Sequence, residues 1–280
     1  MKLHAIETGN FKLDGGAMFG SVPKVIWNHL YPADEHNLIN LSMRCLLIED
    51  GDRLILLDNG IGDKQSEKFF SFYYLNGDFS LKNSLHQAGF DFSDITDVIL
   101  SHLHFDHCGG SVSHNADRTG WVPAFPNATF WVTREQWEWA CNPNPKEKPS
   151  FLKENILPLQ ESGQLSFLTS DTVIHPDLSF RIMNGHTDGQ IITLVRFNKR
   201  TLAFCADLIP TSAHIPLVYV MGYDTRPLIT VEEKTGFLEE ASLNDYILFY
   251  EHDLNTQCSS ILHTEKGYRK GDTFSLQELV

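Results

Sequence analysis

Apolar positions along this chain gather into short runs broken by turn residues. Residues 43–49 and 53–58 are two mainly apolar runs flanking Asp50-Gly51-Asp52. Asp-Gly between such runs predicts a hairpin. The second run stops at the turn sequence Asp58-Asn59-Gly60. Residues 80–87 predict a short helix, with Leu81, Leu85 and Ala88 on one side and Gly89 as its stop. Val98-Ile99-Leu100 has the signature of a buried strand and runs into a histidine-rich turn. Thr133 and Gln136 resemble a capping box, which predicts a helix through Trp137 and Ala140. Asn142-Pro143-Asn144-Pro145 ends that helix and begins a polar loop.

The second half continues in the same style. Residues 191–197 and 201–205 predict paired strands around Asn198-Lys199-Arg200. Residues 231–241 predict a helix, and residues 246–250 another buried strand. Strands and helices therefore mix in both halves, as in an α/β or α+β domain with layered sheets. We expect a single domain over residues 1–280. Any boundary between halves falls near residues 142–150, without a linker between independent domains.

Composition narrows the partners. The 280 residues are 42% hydrophobic, enough for a full core. Against 36 acidic side chains stand 22 basic ones, so the net charge of −14 disfavours nucleic acid and anionic membrane as partners. A small-molecule substrate is expected, and a homodimer is allowed. There is no signal-peptide pattern after Met1 and no apolar run long enough to span a bilayer. Cys45, Cys108, Cys141, Cys205 and Cys258 are scattered singly, which suits a reduced, cytoplasmic location.

The decisive segment is Ser101-His102-Leu103-His104-Phe105-Asp106-His107-Cys108-Gly109-Gly110. Three imidazoles and a carboxylate within six positions are good ligands for zinc and similar ions. Alternation sends His102 and His104 to the same side. The following turn can swing Asp106 and His107 toward a second position, and Gly109 and Gly110 allow a tight turn. A solvated polar loop is the bland alternative, and the density of the pattern after a buried strand argues against it.

Four ligands cannot fill two metal sites. Three further residues have the right setting: His186 in a glycine-flanked turn after residues 180–183, Asp207 ending an apolar strand, and His252 ending another. A charge at the end of an apolar strand is costly to bury unless paired or metal-bound. Each taken singly could equally be a surface turn residue.

With these residues in this order, the chain resembles the metallo-β-lactamase superfamily. The resemblance implies an α+β fold, a four-layer αββα sandwich. It implies that His102, His104 and His186 hold one metal, that Asp106, His107 and His252 hold a second, and that Asp207 bridges them. It implies two zinc ions, with iron or manganese as alternatives, and a metal-bridging hydroxide as nucleophile. Asp106 would ligate and also orient the nucleophile or carry its proton. Cys108 reads first as a small buried residue.

Leu13-Asp14-Gly15-Gly16-Ala17-Met18-Phe19-Gly20 and Asp207-Leu208-Ile209-Pro210-Thr211 resemble the branch containing acyl-homoserine lactonases and methyl parathion hydrolase. That resemblance implies hydrolysis of a small lactone, ester or organophosphate ester. Gln190 departs from it, standing where lactonases commonly carry another histidine. His214, Tyr219 or Tyr223 is expected to hydrogen-bond the substrate oxygen in the transition state, with His214 and Tyr223 foremost. The aromatic stretch Phe69, Phe70, Phe72, Tyr73, Tyr74 and Phe79 reads first as packing, then as a wall over an apolar substrate, and Met18, Phe19 and Trp27 share that ambiguity. The alternatives are a glyoxalase II-like thioesterase, a mononuclear iron oxygenase of the same fold, and a metal-binding protein without catalysis.

Overall fold

A computed structural model describes residues 1–279. The chain divides into two compact units, one of residues 1–10 and 43–169, the other of residues 11–42 and 170–280. The boundary in the second half therefore falls between Thr169 and Ser170, and not near residues 142–150. The reason is local. Asn144 and Glu147 are anchored to their surroundings, with Trp139 Nε1 and Asn144 Nδ2 each donating to Glu147 Oε2 at 2.6 Å. The Asn-Pro run is fastened within the first unit, in keeping with the absence of a linker there.

A six-stranded sheet carries the strands of the first unit. Its members are β1 (Lys2–Asp14), β2 (Leu38–Asp50), β3 (Arg53–Leu57), β4 (Asp97–Ile99), β7 (Thr129–Thr133) and β8 (Leu165–Leu168), in the order β1-β2-β3-β4-β7-β8. The chain crosses between units within β1 and again within β2. A separate hairpin pairs β5 (Val112–His114) with β6 (Trp121–Pro123). The expected β2–β3 hairpin forms antiparallel, with Asp50 opposite Arg53. From β3 onward the neighbours are parallel. Val98, Phe130, Leu56, Leu85 and Leu159 belong to one fully buried apolar cluster.

Short helices α1 (Gly15–Phe19) and α2 (Lys24–Trp27) belong to the second unit. In the first, α3 (Glu67–Ser71), α4 (Leu81–Gln87), α5 (Phe105–Cys108), α6 (Arg134–Cys141) and α7 (Lys153–Glu161) follow in order. Ser80 caps α4 as its sequence suggests, accepting from Asn83 N. Thr133 caps α6, and Gln136 Oε1 also accepts from Leu103 N inside the histidine segment.

The second sheet has the order β14-β13-β12-β11-β10-β9. Its strands are β9 (Leu178–Met183), β10 (Gln190–Phe197), β11 (Arg200–Phe204), β12 (Ile247–Phe249), β13 (Cys258–Thr264) and β14 (Gly267–Phe274). Helix α8 (Pro227–Leu243) packs on β13 and is tied to β9 by the Arg181–Glu240 ion pair at 2.6 Å. Among the described residues no helix is long and apolar enough to cross a membrane. All five cysteines are free thiols.

Candidate metal centre

Strand register decides where the ligands emerge. In the second sheet β11 and β12 run parallel with Phe204 opposite Phe249. Asp207 and His252 each lie three residues beyond that pair, so they leave the sheet side by side. Antiparallel β10 starts at the same end, since Thr193 faces Phe204. The β9–β10 turn that carries His186 therefore lies at that end too. Ala206, directly before Asp207, takes the left-handed region at φ 42°, a conformation costing about 1–3 kcal/mol that the site's surroundings must hold.

The geometry at Asp207 is that of a shared carboxylate. Its Oδ2 lies 3.2 Å from His186 Nε2, and its Oδ1 lies 3.1 Å from His252 Nε2. The outer nitrogen of each ring is already committed. His186 Nδ1 faces Asp224 Oδ1 at 2.9 Å, and His252 Nδ1 faces the Ser42 carbonyl at 2.8 Å. Both partners only accept, so each Nδ1 donates and each ring presents its Nε2 to a carboxylate oxygen.

In the first unit, β3 and β4 run parallel with Leu57 opposite Ile99. Asp58 thus sits beside the segment leaving β4, and its Oδ1 accepts from Ser101 N at 2.6 Å. Ser101 Oγ donates to Asp58 Oδ2, so this hydroxyl accepts from His102 Nδ1 at 3.0 Å. His104 Nε2 lies 3.4 Å from Glu147 Oε1. His102 Nε2 and His104 Nδ1 face each other at 3.0 Å. His107 Nδ1 faces Asp58 Oδ2 at 3.1 Å, and its Nε2 lies 3.8 Å from Asp106 Oδ2.

Both units therefore gather imidazole nitrogens and carboxylate oxygens in buried positions. Imidazole with carboxylate is the donor set of zinc and similar ions. The residues present fit a divalent metal.

All seven sequence-predicted ligands are buried, four in the first unit and three in the second. Sequence reasoning did not assign roles to Asp58, Glu147 and Asp224, the carboxylates behind His107, His104 and His186. Asp58 carried a signal, as the last residue of an apolar run before a turn.

His214 departs from its expected catalytic role. It is wholly buried, stacked on Phe19 at 4.5 Å, with Nε2 donating to the Met18 carbonyl and Nδ1 accepting from Thr211 Oγ1. Burial pushes its pKa down to about 4, so the ring is neutral and both nitrogens are spent on packing. Tyr219 packs edge-on against Phe19. Tyr223 is 37% exposed, next to Asp224. Met18, Phe19 and Trp27 are core residues. The aromatic stretch splits: Phe69 and Tyr73 pack on Phe105, beside Asp106, while Phe72, Tyr74 and Phe79 are exposed. Burial and the Asp106 charge push the Tyr73 phenol up to about 12, which keeps it a proton donor. Cys108 is buried and its thiol is pushed up to about 12 by burial, as suits a packing residue. Gln190 is fully buried, with neither amide atom bonded to another described residue.

Two six-stranded sheets with their helices, and a histidine-rich segment leaving a parallel strand, suit one class: residues 43–112 match the pattern of the metallo-β-lactamase superfamily. The chain's particular relatives are hydrolases. An N-acyl homoserine lactonase of Bacillus cereus is 25% identical over 234 residues, 79% of this chain and 85% of the relative. A solved structure described as a probable metal-dependent hydrolase from Staphylococcus aureus superposes with a TM-score of 0.87 at 27% identity, covering 98% of each chain. A dizinc quorum-quenching lactonase solved with a product gives 0.80 at 21% identity, over 98% of this chain and 95% of its own, a likeness of fold alone. The expected α+β class, with the metallo-β-lactamase fold, holds, and the chain is a hydrolase of this superfamily related to lactonases.

Proposed function

We propose that this chain is a binuclear zinc hydrolase acting on a small-molecule lactone, ester or organophosphate ester, with its two units working as one catalytic domain. In this reading His102, His104 and His186 hold one ion, and Asp106, His107 and His252 hold the other. Asp207 serves both. The observation that carries the reading is the Asp207 carboxylate, one oxygen toward His186 Nε2 and the other toward His252 Nε2.

Two bound dications supply Lewis acidity and make water nucleophilic near neutral pH. The chain's own residues do the rest. Asp58, Glu147 and Asp224 fix the rings and keep their protons on the outer nitrogens. Asp106 orients the nucleophile and carries its proton. Phe105, Phe69 and Tyr73 form an apolar surface beside Asp106 that suits an acyl or aryl group. Tyr223 remains our candidate for hydrogen-bonding the substrate oxygen. The lactonase relatives favour a lactone, and Gln190 widens the choice to open-chain esters and phosphotriesters. The net charge of −14 favours small molecules over nucleic acid.

The test is metal analysis of the reconstituted protein with a panel of lactones, aryl esters and phosphotriesters. Two zinc ions per chain, turnover of one class, loss on chelation and loss in Asp207→Asn are expected. A fully loaded protein inert toward every class removes the catalytic reading, and failure to retain metal removes the binuclear one.

A further inference from the structure

The second unit contains a cavity of about 540 Å³ that none of the seven ligands lines. One side is the tip of the β13–β14 hairpin, and the other is the segment of residues 212–219 with Leu30. The volume lies within the range of small-molecule sites, about 300–1,000 Å³.

Its chemistry is unlike the rest of the chain. Acidic side chains outnumber basic ones 36 to 22, yet Lys266, Arg269 and Lys270 line this cavity and no carboxylate does. No ion pair engages any of the three among the described residues, and Arg269 Nη1 donates only to the neighbouring Tyr268 carbonyl, at 2.6 Å. Facing the cations are apolar side chains, with Leu30 and Val218 exposed at 52% and 65% and Leu217 beside them. Unneutralised cations beside uncovered apolar surface match a ligand with a charged head and an apolar body.

The apolar wall is held in place. Lys234, wholly buried in α8, donates from Nζ to the carbonyls of His214, Pro216 and Tyr219 at 2.8, 3.2 and 2.8 Å. One side chain thus fastens three points of the segment, so little ordering is required of that wall on binding.

We propose that this cavity binds an amphipathic organic carboxylate, its carboxylate against Lys266, Arg269 and Lys270 and its tail against Leu30, Leu217 and Val218. The site is separate from the metal centre and does not depend on the reading given to it.

Calorimetric titration of the metal-loaded protein with octanoate, octanamide, acetate and inorganic phosphate tests this. Octanoate should saturate one site per chain, and the other three should bind at least about tenfold more weakly. The double variant Lys266→Glu/Lys270→Glu should weaken octanoate by about tenfold or more, as should Val218→Glu, with bound metal unchanged. Both lysines and Val218 are exposed, so the fold should survive, and circular dichroism checks it. No saturable octanoate binding, equal binding of octanoate and octanamide, equal binding of inorganic phosphate, or unchanged affinity in both variants would overturn the proposal.

Discussion

Asp224 Oδ1 lies 2.9 Å from His186 Nδ1, and both side chains are buried. The carboxylate orients the ring so that Nε2 faces Asp207. Asp224→Ala should weaken metal binding by about 10–100-fold while far-UV circular dichroism stays native. Competition with a chromophoric chelator measures it, and native affinity in the variant would show that Asp224 only packs.

Glu147 stands in the same relation to His104, but at the longer distance of 3.4 Å. Glu147→Gln keeps the shape and an acceptor oxygen while removing the charge. Its loss of metal affinity should therefore be smaller, about three- to tenfold, since only the charge-assisted part of the bond is lost. The same competition assay ranks the two variants. A larger loss for Glu147→Gln than for Asp224→Ala would contradict the ordering drawn from these distances.

His214 gives a prediction in pH. Its folded pKa is depressed to about 4 by burial, below the 6.5 of an ordinary histidine. Between those values the unfolded chain binds a proton that the folded chain does not. Stability from this residue is therefore complete above pH 6.5 and is lost as pH falls toward 4, by up to about 3 kcal/mol. Urea unfolding of the native protein should lose more stability over this window than that of His214→Asn. At neutral pH the variant should be less stable but keep kcat/KM within a few-fold. A collapse of turnover in a folded, metal-loaded variant would restore the catalytic role.

Much of this was legible in the sequence because the ligands end apolar strands. Val98-Ile99-Leu100 points straight at His102, and the runs before Asp207 and His252 are β11 and β12. What pattern could not show was register, which places Asp207 and His252 at equal offsets beyond paired phenylalanines. The outer carboxylates were harder still: alone in sequence, Glu147 and Asp224 look like ordinary loop acids, and only tertiary contact reveals their rings. Helix α7 escaped because Pro158 inside it reads as a breaker. Strand β14 escaped because it lacks a buried face, its residues lying half-buried or exposed. His214 misled because its position soon after Asp207 says nothing of depth.

Gly109 closes the histidine segment, and its sequence reading needs revision. The expected reason for glycine was a tight turn, yet Gly109 has φ −60°, which any residue adopts. The constraint is space: a Cβ there would lie 2.0 Å from the Ile61 carbonyl oxygen. The opposing chain is equally close, since a Cβ on Gly62 would meet the Gly109 oxygen at 2.5 Å. Lys64, buried nearby, donates to that same oxygen, so neither strand of chain can retreat without breaking a charged hydrogen bond. Gly109→Ala should therefore push apart the backbone that carries Asp106 and His107, at a cost of about 2–4 kcal/mol. Thermal unfolding of metal-free and metal-loaded protein measures it. The metal-loaded form should lose more stability than the metal-free form, because displaced ligands also weaken the linkage between binding and folding. Equal losses in the two forms would mean that the strain does not reach the ligands, and an unchanged midpoint in both would mean that the close approach is not rigid.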